Sequence, residues 1–119
     1  MFVAKYSDFL AEILFKDGPY AVFDGTEDMF KYYFNLKKYN PKKRREDIDS
    51  IHVTDYYNLT FIDGYQALYV VGSNVFGPMG KELIPLENEA DAKEFMKDHN
   101  GQSVLKFKGI TYQIIRGLD

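Results

Sequence analysis

Twice along this chain, two short apolar runs are followed by a stretch of helical periodicity and then by another apolar run. That recurrence limits the fold more than any other feature. In the first pass "LAEILF" and "YAVF" flank "KDGP", and Asp17-Gly18 signals the turn of a β-hairpin over residues 10–23. "TEDMFKYYFNLKKYN" then reads as one helix. Thr26 is placed to cap it, Glu27 and Asp28 suit the positive end of its dipole, and Lys37 and Lys38 suit the other end. Met29, Phe30, Tyr33 and Phe34 form one apolar stripe, and Pro41 stops the helix. Beyond the charged connector "PKKRREDI", "SIHVTDYYNL" alternates as a strand with Ile51, Val53, Tyr57 and Leu59 on one side.

The second pass begins with "YQALYVVG" (65–72), a strand rich in aromatic and β-branched residues. "KELIPL" is a shorter strand, which Pro85 assigns to a sheet edge or to its own end. "NEADAKEFMKDHNG" is a helix with Asn88 as its cap. Ala92, Phe95, Met96 and His99 share one face, and Asn100-Gly101 is the stop. "SVLKFK" reads as a last strand and "TYQIIRGL" as a short helix or strand. The expectation is an α+β protein of two packed ββαβ subdomains with antiparallel-rich sheets, over residues 1–60 and 61–119. Alone, each half would bury only about 60% of the surface its unfolded chain exposes, so the halves should pack together or share a partner.

With 45% hydrophobic and 17% aromatic residues, the 119-residue chain can fill such a core. A net charge of -3 gives no broad attraction to nucleic acid or anionic membranes. No stretch approaches the roughly 18 apolar residues of a membrane span. The absence of cysteine excludes disulfides, thiolate catalysis and Cys-based zinc sites for the chain as given.

Catalytic patterns are poor. His52 falls on the Thr54/Tyr56 side of its strand, read as the solvent face, and His99 lies in the last turn of a helix, where a cation is favoured. Asp55 and Asp63 sit near aromatics, but nothing in the sequence fixes their separation. The run Lys42, Lys43, Arg44, Arg45 is followed at once by Glu46 and Asp47 and reads as a solvated loop. Met29 and Met96 belong to helix faces and core packing. Met79 differs, because Gly77, Pro78 and Gly80 favour a tight turn that lifts the thioether away from regular structure. A thioether is a soft donor suited to Cu(I), but a lone one is weak and needs partners. Packing onto its own subdomain is the alternative.

"MFVAKYSDFLAEILFKDGPYAVFDGTEDMFKYYF" together with "VGSNVFGPMGKELIPL" resembles the NosL family, copper-binding accessory proteins of nitrous-oxide reductase maturation. The most specific parts are the opening Met-Phe-Val-Ala-Lys-Tyr, the Phe-Asp-Gly before the first helix, and the Gly-Pro-Met-Gly-x-Glu-Leu-Ile-Pro block. The resemblance implies two ββαβ subdomains and a non-enzymatic metallochaperone. It would bind Cu(I) at Met1 and Met79, weakly in a cysteine-less form, and deliver the ion to an exported copper enzyme such as nitrous-oxide reductase or to its assembly machinery. It also implies a periplasmic or extracytoplasmic lipoprotein with a membrane tether through an upstream segment. A homodimer is a further expected partnership; nucleic acid is not.

Two departures bear on this. The family usually carries Cys-Gly-Met just ahead of Phe-Val-Ala, whereas this chain starts at that methionine, Met1. The expectation is trimming past a signal peptide and cysteines, with a genuine start in a cysteine-less relative as the alternative. Lys81 stands where relatives often have His, and an ammonium group cannot ligate. The rival to copper delivery is a metal-independent interaction module in which Met79 and Phe76 form an adhesive patch.

Overall fold

The structure, a computed structural model, describes residues 9–77 and 80–118. Strand β1 (Ala11–Phe15) turns through Lys16–Pro19 into β2 (Tyr20–Phe23), with Gly18 at a φ of 111° that a side chain would resist. Strand β3 (Ile48–Thr54) lies on the other side of β1, antiparallel, pairing Ala11 with Val53 and Ile13 with Ile51. Strand β4 (Phe61–Asp63) completes a four-stranded sheet in the order β2-β1-β3-β4. Helices α1 (Thr26–Phe34) and α2 (Leu36–Tyr39) connect β2 to β3.

The second sheet repeats the plan. Strand β5 (Leu68–Val71) is central, flanked antiparallel by β8 (Ile84–Leu86) and β9 (Ser103–Lys106), with helix α3 (Glu89–His99) between those two in sequence. Pro85 thus occupies an edge strand, where its missing N–H costs no ladder bond. Between β5 and β8, a minimal hairpin of β6 (Phe76–Gly77) and β7 (Gly80–Lys81) is inserted where the first sheet has only its Lys16–Pro19 turn. Helix α4 (Tyr112–Arg116) ends the described chain, capped by the Thr111 hydroxyl accepting from the Ile114 N–H. No helix among the described residues is long and apolar enough to cross a membrane.

Several local readings shift. The single helix expected over 26–40 breaks at Asn35, whose side-chain amide donates to the Lys31 carbonyl at 2.8 Å and so competes with the backbone ladder. The strand expected to reach Leu59 stops at Thr54. The Asp55 carboxylate there accepts from the Tyr57 and Asn58 N–H groups and turns the chain, leaving Tyr57 and Leu59 exposed. Thr54 itself is buried, its hydroxyl donating to the Leu10 carbonyl at 2.7 Å, so that end of β3 is not a solvent face. The strand read over 65–72 is shortened to 68–71, since the Asp63 carboxylate captures the Tyr65 N–H in a turn.

The main core does not respect the repeat. Ile13, Ile51 and Val53 of the first sheet and Met29 and Phe30 of α1 pack with Tyr69, Leu83, Phe107 and Ile115 from the later half. Phe30 meets Tyr69 edge-on at 5.3 Å and Phe107 at 5.2 Å. A smaller core under α3 holds Val70, Ile84, Leu86, Ala92 and Phe95.

Candidate functional site

The hairpin insertion lies next to the joint between the two sheets, and that joint is built around a buried carboxyl group. Glu82, which follows β7 directly, is 2% exposed. Its Oε1 accepts the Glu27 N–H at 2.6 Å and the Leu83 N–H at 3.1 Å. The Thr26 hydroxyl lies 3.0 Å from the same oxygen and 2.5 Å from the Leu83 carbonyl, sharing one proton between two acceptors. Thr26 is therefore the first helical residue rather than the cap. The N-cap is Gly25, with no side-chain bond of its own, and a carboxylate 55 residues away performs the capping. A Cβ on Gly25 would collide with Glu82 Oε2, whose carboxyl group is held in place by the bonds to Oε1, so the close approach favours glycine there.

Burial is the largest influence on Glu82 and pushes its carboxyl up to about 7, with the nearby Glu27 charge adding to the rise. The Glu27 and Leu83 N–H groups and the Thr26 hydroxyl oppose it. Oε2 accepts no hydrogen bond among the described residues. Glu27, also buried, pairs with Lys31 one turn along α1 at 3.5 Å.

Met1 and Met79, the two sulfur donors expected from sequence, lie outside the described residues, together with residues 2–8 and Pro78. Phe9 and Val75 both pack against the small core under α3. Met96 packs there too, and Met29 is fully buried in the main core, so both helix methionines are packing residues. His99 lies at the rim of the smaller core, 4.5 Å from the Phe95 ring, with Nδ1 3.3 Å from Asn74 Oδ1. The Asn74 N–H in turn donates to the His99 carbonyl at 2.9 Å. The end of α3 thereby holds the stretch that enters the hairpin.

The other candidates are dispersed. His52 Nδ1 is 3.3 Å from Glu12 Oε2, and its ring stacks on Phe61. Asp55 is buried and accepts from the Glu87 N–H as well as from its own turn, which ties the loop after β3 to the end of β8. Asp63 stands across from His52 in the ladder, yet the small cavity beside Asp63, lined also by Ile62, Gln66, Ala67 and Glu87, does not include His52. Among the described residues no group of three or more His, Cys, Asp or Glu is placed to hold a metal ion. Sequence reasoning missed Glu82, Gly25 and the altered role of Thr26. The available signal was a carboxylate at the head of an apolar run, "ELIPL", which no local pattern requires.

No match was found among curated proteins. Two solved structures are similar. The crystal structure of the copper chaperone NosL from Shewanella denitrificans shares 22% identity, with a TM-score of 0.75 over 87% of this chain and 79% of that one. The solution NMR structure of the apo-NosL protein from Achromobacter cycloclastes shares 26% identity, with a TM-score of 0.58 over 88% of this chain and 87% of that one. Both agree with the α+β architecture. The family model described as NosL matches residues 1–115, and the chain belongs to the NosL family.

Proposed function

We propose that this protein is a copper-binding accessory protein that holds Cu(I) through Met1 and Met79 and delivers it to an exported copper enzyme such as nitrous-oxide reductase. Membership of the NosL family supports a copper-related accessory role, as does the likeness to a structure described as a copper chaperone. One observation on this chain supports the site assignment: Phe9, the first described residue after Met1, and Val75, four residues before Met79, pack against one small core. Eight residues from Phe9 to Met1 can reach at most about 29 Å, and four from Val75 to Met79 about 14 Å. Both thioethers can therefore meet over that core.

Two soft, neutral donors suit Cu(I) and hold it loosely, so a recipient with more sulfur or imidazole ligands can displace them one at a time. Transfer is then ligand exchange with no covalent bond-making. The same reading puts the protein outside the cytoplasm and tethered near its N-terminal end.

Competition for Cu(I) against a colorimetric chelator tests this. The 119-residue chain should bind weakly, Met79→Leu should lose most of that affinity, and adding Cys-Gly ahead of Met1 should tighten binding by about 100-fold or more, since a thiolate outcompetes a thioether for Cu(I). Equal affinities for all three forms would end the proposal.

A further inference from the structure

The connector after α2 takes on a different character once folded. Residues 31–45 carry seven cations and no carboxylate, leaving eight cations against eighteen carboxylates in the rest of the chain. Folding gathers five of the seven around one concavity of about 480 Å3 at the α1–α2 break: Lys37, Lys38, Lys43, Arg44 and Arg45. Tyr33, Phe34 and Leu36 form its apolar wall. That volume lies within the roughly 300–1,000 Å3 of ordinary ligand sites.

The cations are largely unspent. Lys43 pairs with Asp17 and the Arg44 backbone N–H donates to the Asp47 carboxylate at 2.9 Å, while the side chains of Lys37, Lys38, Arg44 and Arg45 have no carboxylate ion-pair partner among the described residues. Arg45 is laid over the Tyr33 ring at 4.5 Å and the Phe34 ring at 5.4 Å, which fixes its guanidinium while leaving its N–H edges available. A merely solvated face interleaves the two signs of charge, as α1 does with Glu27 and Lys31; the residues lining this concavity include no carboxylate.

We propose that this cavity binds an acidic segment of a partner protein, taking its carboxylates on Lys38, Arg44 and Arg45 and an apolar side chain against Tyr33 and Leu36. Concavity favours a protruding peptide over a bilayer, whose flat surface would meet the rim alone. The excess of carboxylates over the rest of the chain opposes any extended polyanion, lipid or nucleic acid, while one short acidic segment feels the local field.

The test is fluorescence anisotropy of a labelled hexapeptide of alternating glutamate and leucine, without metal, so its outcome is independent of the copper reading. Saturable binding is expected, weakening at least 10-fold on Lys38→Glu with Arg44→Glu and by less on the milder Lys38→Gln with Arg44→Gln, circular dichroism confirming the fold of each. Lys93→Glu with Lys106→Glu, at a separate cavity beside α3, should leave binding unchanged. Absence of saturable binding, or equal loss in the Lys93/Lys106 variant, overturns the proposal. Binding to phosphatidylglycerol vesicles without peptide binding overturns it in favour of a lipid surface. Sedimentation as a dimer that Lys38→Glu with Arg44→Glu dissociates, again without peptide binding, overturns it in favour of a second copy.

Discussion

Glu82 is a residue at which the two halves of the chain are chemically joined, since its carboxyl group and the neighbouring Leu83 carbonyl take bonds from Thr26 and Glu27. A buried carboxyl raised from 4.5 to about 7 holds its proton in the folded state at pH values where the unfolded chain has released it. The stabilisation is therefore complete below about pH 4.5 and is lost as pH rises toward 7, by an amount on the order of 3 kcal/mol. Glu27 faces it from α1 and adds to the rise, tempered by its own pairing with Lys31. Glu82→Gln keeps an acceptor for the α1 N–H but cannot titrate. Urea unfolding from pH 4.5 to 8 should show the parent losing stability relative to Glu82→Gln; curves that stay parallel would show that Glu82 does not titrate in this range.

Among the elements, the β6–β7 hairpin stands apart. Strands β1, β2, helix α1 and β3 correspond in order to β5, β8, helix α3 and β9, and the hairpin is what the second set adds. Its two-residue strands are too short to stabilise much by themselves. Because Phe76 pairs with Lys81, the chain enters and leaves the hairpin at neighbouring points, and an Asn-Gly turn can close the gap. Replacing residues 76–81 by Asn-Gly should move the thermal midpoint by only a few degrees, while removing the Cu(I) binding proposed for Met79. A fall of more than about 10 °C would assign the hairpin a structural role instead.

For the whole molecule, the core shared between the halves predicts that folding is one event. Phe30 contacts aromatic side chains on both sides of the repeat, at Tyr33 and Phe34 within α1 and at Tyr69 and Phe107 beyond it. Phe30→Ala should cost about 3–5 kcal/mol. Far- and near-ultraviolet circular dichroism should still lose signal together in a single lowered transition. Two separated transitions would mean that the halves hold themselves up independently.

The sequence by itself determined whatever depends on neighbours within a few residues. Asp17-Gly18 made the first turn, Asn88 captured the Asp91 N–H, and Asn100 stopped α3 at a φ of 56°, because caps and tight turns are satisfied by groups close along the chain. Hydrophobic periodicity likewise marked α1, α3 and the central strands, and the blocks around Phe-Asp-Gly and Gly-Pro-Met-Gly-x-Glu pointed to the family. Tertiary structure alone decided that those two blocks meet, that Asp55 ends a strand to hold Glu87, and that a solvated-looking basic run frames a cavity. Each of these rests on partners brought together only when the chain collapses around a common core, and no pattern of spacing along the chain encodes such distances.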